Sequence, residues 1–317
     1  MTSLVAMAVL GQSSSNPTLA PAKTYQGLRV TAIAAAPSGA KIAVCAEDST
    51  VRVINSQNFQ TIYTLRGHPQ PAYGIAFSPN GRYLATGDET ARLIIWDLNT
   101  GQKVREFPRD RGHTRGIQSI AFSANGQRIA TVGKDDIIKV WNFAGGHPVG
   151  TILGSGANFY GVSFGASGAL VTGTLLEGLR LYNPSNFSLA ATVKTAPQPG
   201  SNNVALNKAG TLAMTLGRDG NASLVQLNNR QTILRLKGHS DWILYGAFTP
   251  NGKFAFTSGS DSQIIMHNVR TGAHVAKISP SSFVGSPLAV TADGRILATS
   301  DDMDQLKLYK INPPQLR

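Results

Sequence analysis

The stretch AYGIAFSPNGRYLATGDETARLIIWDLNTGQKVREF, residues 72–107, decides the fold. It breaks into four short runs, residues 73–77, 83–86, 93–98 and 103–107, with turns between them. Apolar residues alternate with small or polar ones in these runs, a period-two pattern that fits strands and not helices. The first turn, Ser78-Pro79-Asn80-Gly81, has hairpin chemistry: Pro presets φ, Asn bonds its own backbone, and Gly takes the left-handed conformation. Four short antiparallel strands make one unit.

Gly81 belongs to a ladder, since glycines at 39, 81, 126, 168, 210, 252 and 294 follow one another at steps of 42, 45, 42, 42, 42 and 42 residues. A fixed period of this size means one supersecondary unit copied along the chain. The first strand recurs as IQSIAF (117–122), FYGVSF (159–164) and ILYGAF (243–248). The third, RLIIWDL (92–98), recurs as IIKVWNF (137–143), LRLYNP (179–184) and LKLYKI (306–311). One such sheet cannot bury its own faces, so neighbouring units must stack. Seven stacked units close into a ring.

Composition agrees. The 317 residues include 33 Gly and 16 Pro, with 42% hydrophobic and 15% charged residues, as expected for many short strands joined by tight turns. The single cysteine, Cys45, sits in an apolar strand pattern and reads as a small buried hydrophobe. The apolar run at residues 4–10 has no preceding Lys or Arg, so a secretory signal is not expected. No stretch approaches the roughly 20 apolar residues that cross a bilayer. A soluble, cytoplasmic protein is the expectation.

With Gly67-His68, Gly112-His113 and Gly238-His239 leading three repeats, and Trp96-Asp97 and Trp141-Asn142 ending two third strands, the chain resembles the Trp-Asp (WD) repeat β-propellers. Elsewhere the Trp position carries Ile54, Tyr182, Val225, His267 or Tyr309. The resemblance implies an all-β, seven-bladed propeller with four antiparallel strands per blade. The last repeat ends after its third strand, and counting back one period places residues 19–26 as the strand that completes it and closes the ring. The expected organisation is an N-terminal arm, residues 1–18, and a propeller, 19–317. Its blades fall at about 28–68, 69–113, 114–155, 156–197, 198–239, 240–281, and 282–317 with 19–26. The arm joins SLVAMAVL to a GQSSSNP linker and is expected to anchor to a partner or to the propeller.

By the same resemblance, His113, Thr131, Asp135 and Trp141 form a buried hydrogen-bonded tetrad in blade three. A His, a hydroxyl and an Asp also suggest a hydrolase triad, but a set held inside a blade satisfies itself and rigidifies its unit. The sixth repeat offers His239, Ser258, Asp261 and His267. The second offers His68, Thr86 and Trp96, with Thr90 where Asp belongs. No His/Cys/Asp cluster has metal-ligand spacing, GxxxxGK is absent, and Asp301, Asp302 and Asp304 lack the calcium-loop pattern. No catalytic residue, metal or cofactor is expected.

The resemblance assigns binding to the side carrying the approach to each first strand and the turn between second and third strands. The approach ring is Leu28, Gln70, Arg115, Ala157, Pro199, Asp241 and Phe283. The turn ring is Glu47, Glu89, Lys134, Leu175, Arg218, Ser260 and Asp302. A ring inside the first strand is Thr31, Tyr73, Gln118, Tyr160, Asn202, Leu244 and Ser286. Tyr73, Tyr160, Trp242 and Phe283 are the candidate aromatic anchors; packing along the central channel is the competing reading for the two tyrosines. The long 45-residue step holds REFPRDRGHTR, whose Arg105, Arg109, Arg111 and Arg115 mark a second candidate contact. A net charge of +12 favours an acidic partner. The expected function is a non-enzymatic docking subunit of a larger assembly that binds an acidic protein. Nucleic acid, bound through a basic rim, is the alternative.

Overall fold

A computed structural model of the protein describes residues 17–38, 40–154, 156, 159–175, 177–195, 201–280, 286–301 and 305–312. Residues 1–16 of the expected arm, 1–18, lie outside them, as do Ala157, Pro199, Phe283, Asp302 and Asp304 and the side chains of Arg109 and Asn202; Thr18 belongs to the first strand.

The described residues form seven four-stranded antiparallel sheets. Six run in simple sequence order, from an innermost strand such as Ala72–Phe77 to an outermost one such as Gln102–Glu106. The seventh joins the two ends of the described chain. Thr18–Tyr25 pairs antiparallel with Leu306–Asn312, from Thr18 opposite Asn312 to Tyr25 opposite Leu306, and supplies that blade's outermost strand. The innermost strands touch in a closed circuit, each against the next and that of blade seven, Ala289–Val290, against Val30–Ala35 of blade one. The chain is therefore a seven-bladed β-propeller closed by its N-terminal strand.

The core is divided by the same symmetry. Seven apolar clusters each lie between two neighbouring blades: Leu84, Ile94 and Trp96 of blade two pack with Val51, Val53 and Leu65 of blade one, and Ile42 and Val44 pack with Leu306 and Leu308 across the closure. Every blade thus depends on both neighbours for burial, as stacked repeats require. Cys45 is fully buried in the first of these clusters, and burial pushes its thiol pKa up. The ladder glycines from Gly81 to Gly294 close the turns between first and second strands, with φ of 70° at Gly81 and Gly126 and 63° at Gly294, where a side chain would be strained, while Gly39 lies outside the described residues. No helix among the described residues is long and apolar enough to cross a membrane.

Candidate functional site: the mouth of the central channel

Alternating strand direction puts the approach to each innermost strand and the second-to-third strand turn on one side of the ring. The backbone ties them together: the amides of Glu47, Glu89, Lys134 and Ser260 donate to the carbonyls of Arg29, Pro71, Gly116 and Trp242 at 2.7 to 3.1 Å.

Each innermost strand except that of blade seven carries a register shift near its start, between Val30 and Ala32, Ala72 and Gly74, Ile117 and Ser119, Phe159 and Gly161, Ser201 and Val204, and Ile243 and Tyr245. A bulge leaves one residue unpaired and re-aims its side chain. The residues left over are Thr31, Tyr73, Gln118, Tyr160 and Leu244, and all five line one cavity of about 440 Å³. In blade five Asn203 lines it; the repeat spacing points to Asn202, but the bulge there spans both residues. Lys134, Leu175 and Arg218 of the turn ring face the same cavity, with Trp242 and Tyr245.

The aromatic residues here are exposed at 39% for Tyr73, 38% for Tyr160 and 41% for Trp242. Two are paired with cations: Lys134 Nζ lies 5.3 Å from the Tyr73 centroid and Arg218 Cζ 3.6 Å from that of Trp242. Lys134 is also held by Glu89, at 2.7 and 2.8 Å. In the sequence Lys134 and Arg218 stand out only as turn-ring positions; their repeat-equivalence to each other is the signal that they meet the tyrosine ring. Leu28, assigned to the exposed approach ring, is buried between blades seven and one instead, because its side chain closes that junction.

The arginine-rich insertion opens on the same side. Residues Arg109–Arg111 form one 3-10 turn before the innermost strand of blade three. Arg111 and Arg115 are exposed, Arg111 lying 3.8 Å from Asp110. Arg105 is occupied otherwise: its Nη1 donates to the carbonyls of Phe143 and Ala144 at 2.5 and 2.7 Å, fastening blade two to the outer turn of blade three.

The buried tetrads lie inside the blades, away from this cavity. In blade three Trp141 Nε1 donates to Thr131 Oγ1 at 2.9 Å, Thr131 lies 2.8 Å from His113 Nε2, and His113 Nδ1 lies 2.9 Å from Asp135. An indole only donates and a carboxylate only accepts, so Thr131 accepts from Trp141 and the His113 Nδ1 proton is directed at Asp135. Burial alone would raise the Asp135 pKa, but hydrogen bonds from His113 and the Thr114 amide hold it below the usual carboxylate value.

Blade two has the same chain through a different acid. His68 Nδ1 lies 2.7 Å from Asp88, not Thr90, and Thr86 bridges His68 at 2.6 Å and Trp96 at 2.8 Å. Blade three has Gly133 at the position of Asp88; a Cβ there would lie 2.3 Å from His113 Nδ1 and 2.4 Å from Asp135. The repeat therefore accepts either Gly-x-Asp or Asp-x-Thr, and in the second form Asp88 also accepts from the Thr90 amide and hydroxyl, both at 2.8 Å. The sixth blade corrects a second assignment: its hydroxyl is Thr257, 2.9 Å from both His239 and His267, because Ser258 points to the other side of the strand and accepts from the Ser286 amide. Among the described residues no three His, Cys, Asp or Glu side chains are grouped to hold a metal.

Comparison with known proteins agrees with this architecture. The model of the WD domain, G-beta repeat, matches residues 20–55, 59–97, 101–142 and 230–268, which end in blades one, two, three and six. Three of those four hold the buried imidazole. Over 58 residues, 18% of this chain, the sequence is 34% identical to a subunit of chromatin assembly factor 1 from Gallus gallus, and covers 10% of that protein. It is 39% identical over 75 residues to WD repeat-containing protein VIP3 of Arabidopsis thaliana, 23% of each chain, and 29% identical over 99 residues to protein tipD of Dictyostelium discoideum, 16% of which is covered. These matches span a quarter or less of each relative. With four family repeats in sequence and seven blades in structure, this chain is a member of the WD-repeat β-propellers.

Proposed function

We propose that the protein is a non-enzymatic docking platform, a subunit of a larger assembly that binds a partner protein across the mouth of its central channel. The observation that carries this reading is the bulge ring, which aims Tyr73 and Tyr160 into the cavity that the Arg218–Trp242 pair also lines. Aromatic and arginine anchors around an open concavity are what protein interfaces use, and a relative that is itself named as a subunit of an assembly factor is compatible with it.

The partner presents carboxylates. Arg111, Arg115 and Arg218 are the cations assigned to meet them, beside the acids Asp110, Glu89 and Asp241. A cytoplasmic location draws no support from a relative named for chromatin assembly and forms no part of the reading.

Affinity purification from the native source with wild type, Tyr160→Ala/Trp242→Ala and Arg111→Glu/Arg115→Glu tests both levels. Loss of one co-purifying chain with the aromatic variant supports docking at the mouth. Loss with the charge-reversal variant, relieved at raised salt, supports an acidic partner. Retention of all partners by both variants sinks the reading.

A further inference from the structure

Much of the excess positive charge lies away from the partner site. On the third and fourth strands Arg52, Arg92, Lys103, Arg180, Arg235 and Lys307 are each paired with an acid, Asp48, Glu106, Glu106, Glu177, Asp219 and Asp301, whereas Arg66, Lys139, Lys194, Lys237 and Lys277, on or at the ends of those strands, have no ion pair among the described residues. These acids, Glu106 apart, stand at the second-to-third strand turns of the channel-mouth side.

The opposite side, made of the first-to-second and third-to-fourth strand turns, has almost no acid. Among the described residues its only carboxylates are Asp97 and Asp293. Asp97 is held by Arg82 at 2.8 and 3.1 Å, and Asp293 caps its own turn through Thr291 Oγ1 and the Arg295 amide. Arg128 is likewise occupied, donating to the Pro184 carbonyl and lying over the Phe187 ring. Apart from the half-buried Lys41 of blade one, six cations remain, in sequence from blade five to blade seven: Lys208, Arg230, Lys253, Arg270, Arg295 and Lys310. All are exposed, and no ion pair to any of them occurs among the described residues.

We infer that this arc is a second binding surface, and that its ligand is the phosphate backbone of double-stranded nucleic acid, held without reading of sequence. Uncompensated Lys and Arg spaced along a surface neutralise phosphates and release their counterions. The exposed aromatics Tyr73, Tyr160 and Trp242 all stand on the other side, so the arc offers no platform for stacking single-stranded bases. The exposed aliphatic residues Ile62, Val104, Val149, Leu153, Leu189 and Ile233 are on outermost strands of blades one to five, so the arc has nothing to insert into a bilayer. The charge also occupies three adjacent blades and not the whole disc, a track for a rod more than a plate for a plane.

Fluorescence anisotropy of a short labelled DNA duplex of mixed sequence, titrated with the full chain over a salt series, tests this. Wild type is expected to bind with a steep dependence on salt. Lys208→Gln/Arg230→Gln/Lys253→Gln/Arg270→Gln is expected to lose at least about tenfold in affinity at low salt, with the log–log salt slope shallower by about 0.9 per phosphate contact removed. Lys134→Gln/Arg218→Gln, at the channel mouth, keeps wild-type binding. Since all six positions are exposed, an unchanged melting temperature in the quadruple variant certifies its fold. Absence of duplex binding by wild type overturns the inference, as does equal loss in both variants. Binding to phosphatidylserine-containing vesicles but not to the duplex overturns it too. Because the channel-mouth variants serve here as controls, failure of the duplex assay leaves docking at the mouth standing, and the reverse holds.

Discussion

The imidazoles of His267 and His274 meet edge to face, 5.2 Å between centroids and 82° between planes, and together fill the space of a single indole. In blade two a Cβ on Gly67 would come within 3.1 Å of the Trp96 ring; in blade six a Cβ on Gly238 would meet the His274 ring at 2.3 Å. His267 stands where Trp96 does, and His274 where Lys103 does, opposite it in the outermost strand. The substitution has a polar consequence. Thr257 Oγ1 lies 2.9 Å from both His239 Nε2 and His267 Nε2, and the Nδ1 of His267 is left buried with no hydrogen-bond partner.

Acid should therefore weaken blade six first. Burial, then the neighbouring His274 and His239, push the His267 pKa down to about 3, against about 6.5 in an unfolded chain. Between those values the unfolded chain binds the extra proton, so stability is full above about pH 6.5 and falls as pH drops towards 3, by up to about 1.4 kcal/mol per pH unit. The double variant His267→Trp/His274→Lys, which reproduces blade two, should lose less melting temperature between pH 7 and pH 5 than wild type. An equal loss would show that His267 is not the acid-sensitive group. His267→Trp alone is expected to destabilise at every pH, because His274 occupies the volume the indole needs.

Exchanging the two acid arrangements tests the tetrad. Asp88→Gly strands the His68 Nδ1 proton in the core and should cost about 1 to 3 kcal/mol in denaturant unfolding. Asp88→Gly/Thr90→Asp installs the arrangement of blade three and should recover most of that. A double variant no more stable than the single one would mean that the two geometries are not interchangeable.

Native-state hydrogen exchange should be slower in the second and third strands of blade three than in those of blades four and five. Thr131 is bound by His113 and Trp141, whereas Thr172 and Thr215 bond only to backbone carbonyls. The reverse order would remove the stabilising role assigned to the buried chain.

Ring closure is testable by strand removal. A chain lacking residues 2–25 leaves Leu306–Asn312 as an open sheet edge and should unfold at lower temperature and associate in solution. A synthetic peptide covering residues 17–26 should reverse both effects. If the truncated chain stays monomeric and as stable as wild type, the N-terminal strand does not hold the ring.

Much of the fold is legible because one feature, the glycine ladder, is dictated by backbone conformation at the first turn of blades two to seven. Even the closing strand falls within one residue of its expected place, at Thr18–Tyr25 against 19–26. What sequence does not supply are choices settled by register. Thr257 and Ser258 are adjacent hydroxyls on opposite faces of one strand, and a one-residue offset moves the tetrad from one to the other. Asp88 escapes the repeat pattern because a carboxylate two residues early still reaches the same imidazole nitrogen. The bulges leave no letter in the sequence, since Thr31, Tyr73, Gln118, Tyr160 and Leu244 share a position and no chemistry. The charge asymmetry is hidden for a different reason: basic residues are spread along the whole chain, and only the acids that neutralise them are confined to one side.

The pairing of Thr18 with Asn312, bridged by a hydrogen bond across 294 positions of sequence, also sets an order of events during synthesis. The segment that becomes the last blade's outer strand leaves the ribosome before any other strand of the propeller, and its partner emerges last. At about 5 to 20 residues per second, it waits roughly 15 to 60 seconds with its backbone amides unsatisfied while six blades form behind it. A newborn chain is therefore open to capture at this strand throughout translation of the ring, and the emergence of Leu306–Asn312, not the assembly of any one blade, is the moment the molecule becomes safe from its neighbours.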